Sequence, residues 1–401
     1  MPYRGDRHDA GDRKPSSATP VEAHLLAAVA TPSVAPCSTA VHEPFATLDD
    51  VYAAARGALR EHVWDYLDGG AGQGETLDDN RRAFARWRFR PRVLTGMGEP
   101  SMATAFLGVE LAMPLLTAPF GSDALFDPEG HRAVARANAR YGVASIVPEA
   151  ASFSMEEVVA AAPSAARFVQ LHPAGPVSNF VSMLHRAEDA GYAAVCITAD
   201  CPTAGWREHL MRSGFMPDAS VVAGNYRDKA GVSPWDIFGH LVPRGEAPWS
   251  WRKLAELCSQ GRLPFFVKGI LTAEDAVLAR EAGAAGILVS NHGGRQLDGA
   301  PASLDQLPEI RQAVGPEVAI GLDGGVRRAT DVLKALALGA DVVVLGRAAA
   351  MGLAARGEAG VARVLELFRD ELRTSMTLAG CSSIAAIGPH LLQPASGSRG
   401  A

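Results

Sequence analysis

The sequence predicts an α/β fold, and within that class a TIM (β/α)8 barrel with an N-terminal helical extension and a long loop after the fourth strand. Three observations predict it. From about residue 115 onward, short apolar runs alternate with helical segments, as in repeated βα units. The runs number eight, and the ends of five of them carry Asp, Lys, His or Arg side chains. A doubly wound open sheet is the alternative, but it does not usually repeat so evenly to eight.

The apolar runs are predicted to be buried parallel strands, at residues 115–121, 143–148, 167–172, 193–200, 264–269, 286–291, 318–325 and 342–347. Helices are predicted between them at residues 129–141, 154–162, 177–190, 251–260, 272–282, 304–314 and 328–338. Because parallel strands need crossover connections, these helices are expected to surround the barrel.

The chain is predicted to consist of three segments. Residues 1–45 mix Arg, Asp, Gly, Pro, Ser and Thr without periodicity, and we predict a disordered tail there. Residues 46–390 are predicted to form the barrel domain. Residues 391–401 are predicted to be a disordered C-terminal tail.

The barrel domain is predicted to begin with two helices. The first opens with Asp49 and Asp50 in its first turn, where negative charge suits the helix dipole, and it stops at the glycines that follow Asp68. The second is predicted over residues 75–87. Together they form the helical extension.

One connection is far longer than the others. About fifty residues separate Asp200 from Trp251, with five prolines and little periodicity, whereas barrel connections are usually short. Such a loop is either a lid over the barrel mouth or a disordered insertion, and the two interpretations have equal weight. Aromatic side chains indicate that at least part of it packs: Trp235, Phe238, Trp249 and Trp251.

Charge and composition argue against several classes of protein. The net charge of −6 and the pI near 6.0 leave no basic footprint for nucleic acid or an anionic membrane. The five cysteines are odd in number and lack metal-ligand spacing, which favours a reduced, cytoplasmic protein without disulfides. No apolar stretch reaches about 18 residues, so no transmembrane helix is expected.

The most informative stretch is residues 290–299, which read SNHGGRQLDG and follow a predicted strand. Gly293 and Gly294 allow the backbone to approach a ligand closely, because they carry no side chains. His292 and Arg295 are thereby held three residues apart. This is the layout of a proton-transfer site beside an anion clamp, although an isolated histidine is more often an ordinary loop residue.

Polar residues at the ends of other predicted strands favour a functional site over an ordinary loop. These residues converge on one mouth in a barrel, and they are Thr198, Asp200, Lys268, Asp323 and Arg347. After the last two strands, the glycines of residues 323–325 and 345–347 are typical of a phosphate subsite. Phosphorylated substrates and flavin mononucleotide (FMN) both use such a subsite.

These motifs closely resemble the FMN-dependent 2-hydroxy acid oxidase and dehydrogenase family, which includes glycolate oxidase and the lactate and mandelate dehydrogenases. The strongest matches are FVKGI at residues 266–270, SNHGGRQLD at 290–298, LDGGVR at 322–327 and LGR at 345–347. The resemblance extends to Asp65-Tyr66 and to Arg207-Glu208, and it covers about residues 46–388.

The resemblance implies catalytic roles for four residues. His292 would be the catalytic base, and Asp200 would orient it and stabilise its imidazolium. Lys268 would sit beside the flavin, where negative charge develops on reduction. Tyr66 would hydrogen-bond the hydroxyl or carboxylate of the substrate.

The resemblance also implies the binding residues. Arg295 and Arg207 would clamp the substrate carboxylate, since the planar fork of arginine matches two oxygens, and Tyr66 would complete the site. His172, which the family does not share, is a further candidate for substrate binding. FMN would contact Pro119, Gly121, Gln170, Thr198, Lys268, Ser290, Asp323, Gly325, Arg327, Gly346 and Arg347. For Arg327 a solvated charge at a helix start is the alternative, because Arg328 offers the same charge.

The chain departs from the family pattern on one wall of the expected site. His172 follows Gln170-Leu171 where the family has a tyrosine, and Pro148-Glu149 replaces a Ser-Ser pair. A carboxylate at Glu149 would disfavour reduced, anionic flavin. Gly121 would leave more room near the flavin, and Trp206 is bulkier than the usual residue. We therefore expect a substrate larger than lactate, with aryl or biosynthetic hydroxy acids as candidates.

The implied reaction is FMN-dependent oxidation of an L-2-hydroxy acid to the 2-oxo acid. Oxidative decarboxylation, oxidation of another biosynthetic intermediate, and a flavin-binding protein that has lost turnover are the alternatives. Oxygen is the first expectation for the electron acceptor, and a quinone or protein is the second. The resemblance also implies a homotetramer.

Overall fold

The computed structural model describes residues 45–226 and 249–395. The predicted N-terminal tail lies outside them apart from Phe45. The first helices are α1 (Leu48–Ala58), α2 (Glu61–Asp68) and α3 (Glu75–Ala83). The first predicted helix is therefore two helices, because the backbone between α1 and α2 is extended.

Three short strands come next: β1 (Trp87–Phe89), β2 (Thr104–Phe106) and β3 (Val109–Leu111). β2 and β3 form an antiparallel hairpin. This hairpin inserts Phe106 among barrel residues, where its ring lies edge-on to those of Phe168 and Phe266 at centroid distances of 5.9 and 5.6 Å. The hairpin therefore closes the interior of the barrel with aromatic packing.

Eight parallel strands form a closed barrel, which confirms the predicted fold. They are β4 (Leu115–Thr117), β5 (Ala144–Val147), β6 (Arg167–Leu171), β7 (Val195–Thr198), β8 (Phe265–Ile270), β9 (Gly286–Val289), β10 (Ala319–Leu322) and β11 (Val342–Leu345). Each lies within a predicted run or extends it by one residue at one end. β11 pairs with β4 and so closes the ring. One apolar cluster fills the barrel and a larger one lies between strands and helices.

The remaining helices are α4 (Gly130–Tyr141), α5 (Met155–Ala161), α6 (Val177–Asp189), α7 (Glu208–Ser213), α8 (Trp251–Cys258), α9 (Ala273–Glu281), α10 (Ser303–Val314), α11 (Ala329–Ala337) and α12 (Arg347–Ala379). All seven predicted barrel helices are confirmed within two residues at each end. α12 was not predicted, and it is interrupted at Arg356 and Gly357, whose backbone dihedrals are not helical. Among the described residues, no helix is both long and apolar enough to cross a membrane.

The long loop after β7 packs on both sides of residues 227–248, which lie outside the described residues together with Trp235 and Phe238. Before them, the Ser152 hydroxyl donates to the Val221 carbonyl at 2.8 Å. After them, the Trp249 ring lies edge-on to Phe180 at 5.1 Å. The packing expected for Trp249 is thus present, and the choice between lid and insertion stays a prediction.

The C-terminal boundary of the domain differs from the prediction. Residues 392–394 form β12 (Leu392–Pro394), which pairs antiparallel with β1, so that Trp87 faces Pro394 and Phe89 faces Leu392. The ordered domain therefore extends through residue 395 rather than ending at 390. The sequence offers no local sign of this pairing, because its partner lies at the other end of the domain.

Candidate active site

A cavity of about 270 Å³ opens at the C-terminal ends of the barrel strands. This is the face where TIM barrels carry their reactive groups. The cavity is lined by fifteen of the predicted site residues, namely Tyr66, Pro119, Gly121, Gln170, His172, Thr198, Arg207, Lys268, His292, Arg295, Asp323, Gly325, Arg327, Gly346 and Arg347. Asp200 and Ser290 lie behind this wall, in contact with residues that line it.

His292 is held in a left-handed backbone conformation, with φ of 58°, at the end of β9. The Ser290 hydroxyl accepts a hydrogen bond from the His292 backbone N–H at 3.0 Å and stabilises this turn. The ring nitrogen Nδ1 lies 3.0 Å from Asp200 Oδ1. Because the carboxylate accepts the proton of Nδ1, Nε2 is left with its lone pair, as a general base requires.

The electrostatic surroundings keep His292 neutral. Burial and the nearby Lys268 ammonium lower the pKa of His292 to about 4, although the Asp200 carboxylate acts to raise it. Lys268 Nζ lies 3.3 Å from Nδ1 of His292. At neutral pH the imidazole is therefore unprotonated and able to accept a proton.

Lys268 is buried between two carboxylates. Its ammonium lies 3.9 Å from Asp200 Oδ2 and 3.7 Å from Asp323 Oδ2. Burial acts to lower the pKa of Lys268, but the two carboxylates raise it above its ordinary value. Burial likewise acts to raise the pKa of Asp200, but the charge of Lys268 and the hydrogen bond from His292 bring it below its ordinary value. Lys268 is thus a fixed positive charge under the cavity.

Ser290 was predicted to contact the cofactor, and the structure places it elsewhere. Its side chain is fully buried, and its hydroxyl accepts a hydrogen bond from Lys268 Nζ at 3.0 Å as well as from the His292 backbone. It therefore positions two site residues and does not line the cavity. The strand-end motif could not distinguish a lining residue from one behind the wall.

Two arginines at the mouth have no anionic partner in the part of the chain that the structure describes. Among the residues that the structure describes, no carboxylate lies within 4 Å of Arg207 or Arg295, and their guanidinium groups donate to neutral oxygens, such as the backbone carbonyl oxygens of Arg295 and Gly69. Burial and the charges of Arg207 and Arg347 lower the pKa of Arg295 well below its ordinary value. Crowded cations of this kind are relieved by an anion, and a carboxylate matches their planar geometry.

A second cationic group lies at the ends of β10 and β11. Arg81, Arg327 and Arg347 lie 3.3, 3.6 and 3.9 Å from Oδ1 of Asp68, so that three cations share one carboxylate. Arg327 also lines the cavity, and its side chain is only 26% exposed, so its charge is not a fully solvated one. Such an excess of positive charge beside glycine backbone suits a phosphate.

Two further features fit a bound FMN. Oδ1 of Asp323 is buried and has no hydrogen-bond partner among the described residues, and a sugar-alcohol hydroxyl is a suitable donor for it. At Gly325, where φ is 81°, a Cβ atom would lie 2.1 Å from the carbonyl oxygen of Asn80, so only glycine permits this close approach. The donor set and the backbone therefore fit a ribityl phosphate chain.

On the wall where the chain departs from the family pattern, the structure differs from the prediction in two respects. Pro148 lines the cavity, but the Glu149 carboxylate turns away from it toward His172 and Tyr226 and does not face the flavin site. A Cβ atom at Gly121 would lie 2.8 Å from the Ala150 carbonyl oxygen, so this glycine allows close backbone packing rather than opening space. The small side chain of Ala150 lines the cavity there.

Sequence reasoning missed several site residues. Arg81 comes from α3, and only the packing of the N-terminal helices on the barrel mouth brings it to the cavity. Cys201 lies 3.5 Å from Nδ1 of His292, and burial raises the pKa of its thiol, so it stays protonated. Ser122 accepts a hydrogen bond from the Tyr66 hydroxyl at 3.2 Å. Cys201 directly follows Asp200, which was its one signal in the sequence.

Comparisons with known proteins agree with this site. A family described as FMN-dependent dehydrogenase matches residues 55–394. The chain is 40% identical over 350 residues to 2-hydroxyacid oxidase 2 of Rattus norvegicus, covering 87% of this chain and 99% of the relative. It is 40% identical over 347 residues to glycolate oxidase of Spinacia oleracea, covering 85% and 93%.

Solved structures agree as well. A mandelate oxidase with (S)-2-phenylpropionate superposes with a TM-score of 0.79 at 38% identity, covering 88% of this chain and 98% of that one. These findings confirm the predicted barrel, the FMN cofactor and the class of oxidoreductase that acts on CH–OH groups. The chain belongs to the FMN-dependent dehydrogenase family.

Proposed function

We propose that this enzyme oxidises an L-2-hydroxy acid larger than lactate to its 2-oxo acid, with oxygen as the electron acceptor. One observation carries the proposal: a neutral histidine paired with Asp200 lines the same cavity as two arginines that have no carboxylate partner within residues 45–226 and 249–395. A base beside a carboxylate clamp is what a 2-hydroxy acid requires.

The chain's own residues account for binding and proton transfer. Arg207 and Arg295 bind the substrate carboxylate and orient the hydroxyl-bearing carbon. Nε2 of His292 accepts a proton from the substrate, and Asp200 stabilises the imidazolium that results. Tyr66, whose ring lies 5.3 Å from the Arg295 guanidinium, holds that arginine in place by a cation–π contact and presents its hydroxyl at the cavity.

FMN, when bound, supplies the acceptor for the two electrons that leave the substrate. Arg81, Arg327 and Arg347 would hold its phosphate, and Asp323 would accept from the ribityl chain. Lys268 would place its positive charge where the reduced ring becomes negative. Thr198 and Gln170 line the same cavity and would contact the ring.

Support for a larger substrate comes from the cavity wall and from the relatives. The cavity is bordered by the aromatic side chains of Phe120 and Phe126 and by the small Ala150. A mandelate oxidase with benzoylformic acid is among the similar structures, at 37% identity. An aryl side chain would pack against this apolar wall.

Anaerobic bleaching of the flavin tests the function. The purified holoenzyme is mixed without oxygen with glycolate, L-lactate, (S)-mandelate or L-3-phenyllactate, and the rate at which flavin absorbance is lost gives the preference. We expect the aryl acids to be best, with one 2-oxo acid formed per flavin and one hydrogen peroxide per turnover in air. Glycolate or L-lactate as best substrate would contradict the proposed size, and CO2 released in the anaerobic reaction would contradict the proposed product.

We also propose that the enzyme is a homotetramer. An apolar patch supports assembly: Leu94 is fully exposed, Val93 is 80% exposed, and Leu378 is 70% exposed. The backbone hydrogen bond from Arg92 to Ala379 brings these residues together. Sedimentation of the holoenzyme measures the assembly, and a monomer would contradict it.

A further inference from the structure

A hydrogen-bonded group stands on the cavity wall across the barrel from His292. His172 follows β6, which lies three strands from β9 around the closed barrel, and both histidines line the cavity. Glu149 contacts the His172 ring, and Tyr226 donates its hydroxyl proton to the same carboxylate. The reaction described above uses none of these three residues as acid or base.

The contacts of Glu149 define which nitrogen of His172 carries the proton. Glu149 is only 4% exposed, and its Oε2 accepts the backbone N–H of His172 at 2.8 Å and lies 3.0 Å from ring Nδ1. Its Oε1 accepts from Tyr226. A carboxylate can only accept, so Nδ1 carries a proton, and in the neutral form of the ring Nε2 is the nitrogen with the free lone pair.

Gln170 does not use that lone pair. Its Oε1 accepts the backbone N–H of Glu149 at 3.3 Å, which turns its amide nitrogen toward the ring. That nitrogen lies 3.3 Å from Nδ1 and 3.4 Å from Nε2 of His172. A donor aligned with the Nε2 lone pair would lie much farther from Nδ1 than from Nε2. Because the two distances are nearly equal, the Gln170 amide nitrogen is not aligned with that lone pair. Among the described residues, Nε2 therefore has no aligned donor.

A simple 2-hydroxy acid cannot satisfy both histidines. Its single hydroxyl offers one proton, and His292 is the group that accepts it in the proposed reaction. We infer that the substrate carries a second hydroxyl on its side chain, which donates to Nε2 of His172. This inference rests on the proposed function and refines its substrate class. It makes His172 a specificity-determining residue rather than the base.

Matched substrate pairs test the inference and also tell an aliphatic hydroxyl from a phenolic one. The pairs are L-lactate with L-glycerate, (S)-mandelate with (S)-4-hydroxymandelate, and L-3-phenyllactate with its 4-hydroxy derivative. The anaerobic flavin reduction of the holoenzyme gives kcat/KM for each member. We expect the hydroxylated member of at least one pair to be better by about tenfold or more, because a polar group in a pocket is costly to leave unpaired.

Two variants locate the effect. His172→Phe keeps a ring of similar shape and the backbone N–H to Glu149, but it has no acceptor nitrogen, so the ratio within the preferred pair should fall to about one. His185→Phe, at an exposed histidine of α6, is the matched control and should leave the ratio unchanged. If His172→Phe does not fold with FMN, His172→Asn, which retains a side-chain acceptor, should preserve part of the ratio.

Three outcomes would overturn the inference. In the first, no pair favours its hydroxylated member. In the second, His172→Phe slows both members equally, which would place His172 on the flavin or on a part common to both substrates. In the third, His172→Asn and His185→Phe change the ratio alike. A wild-type flavin that no hydroxy acid bleaches would instead contradict the proposed function, so the two failures are distinguishable.

Discussion

At the scale of single residues, the pKa of His292 predicts an unusual pH dependence. The base must be neutral, and burial together with Lys268 lowers its pKa to about 4. The imidazole therefore stays neutral as pH falls through 6.5, and kcat/KM should remain flat until about pH 5 and fall about tenfold per pH unit below the pKa. Anaerobic flavin reduction across this range measures it. An acid limb centred near 6.5 would contradict the effect of burial and of Lys268.

Asp200→Asn is the companion variant. Because the Asp200 carboxylate raises the pKa of His292 and stabilises its protonated form, removing that charge should leave the acid limb no higher and lower kcat by about 100-fold or more. A fall in kcat without any loss of bound FMN separates this effect from misfolding.

Residue identity was more predictable from the sequence than residue environment. His292, Asp200, Lys268 and Arg347 lie at or just after strand ends, and a closed barrel brings all strand ends together. Ser290 lies only two residues before His292, yet its hydroxyl accepts hydrogen bonds from Lys268 Nζ and the His292 backbone N–H behind the cavity wall. The orientation of Glu149 depends on Tyr226, which is remote in the chain, and no local pattern could reveal that contact.

At the scale of elements, the N-terminus of α3 depends on a residue from a distant loop. Asp298 accepts backbone N–H groups from Gln73, Gly74 and Thr76 at 2.9, 3.1 and 2.9 Å. α3 carries Asn80, whose amide exchanges two hydrogen bonds of 2.8 Å with Asn291, the residue before His292. Asp298 therefore caps the N-terminus of α3, and this helix in turn contacts the loop that carries His292.

Asp298→Ala should lower the free energy of unfolding by about 1 kcal/mol, the usual effect of losing a helix cap. Partial burial acts to raise the pKa of Asp298, but the backbone N–H groups of Thr76 and Gln73 and their neighbours bring it below its ordinary value. The stabilisation is thus present above about pH 4 and lost as pH falls through the lowered pKa. Denaturant unfolding at two pH values measures it, with Asp298→Asn as control. An equal difference at both would contradict the role of the charge.

The strands and helices of the barrel could be predicted because each βα unit has its own local hydrophobic periodicity. The break between α1 and α2 could not be predicted, because the apolar pattern continues through the extended residues between them. The pairing of β1 with β12 was likewise hidden, because two short strands gain their stability from each other and not from their own sequences.

At the scale of the whole molecule, the cationic cavity predicts that anions stabilise the fold. The pKa of Arg347 is lowered to about 10 by burial and by neighbouring arginines, against the attraction of Asp68. Binding of FMN at about 100 times its Kd should add about 2.7 kcal/mol of stability by mass action. Thermal unfolding of flavin-free and reconstituted enzyme measures the shift. Riboflavin, which lacks the phosphate, is the control, and an equal shift with it would contradict the role of the arginines.

Closure of the barrel has a consequence for biosynthesis. β4 obtains its second neighbour only from β11, and β1 obtains its partner only from β12, at the very end of the described chain. During synthesis the early strands therefore emerge with open edges that could pair with another nascent chain. Nearly all of residues 45–395 must therefore leave the ribosome before these edges are covered, so the first strands cannot complete their pairing while the later ones are still being made.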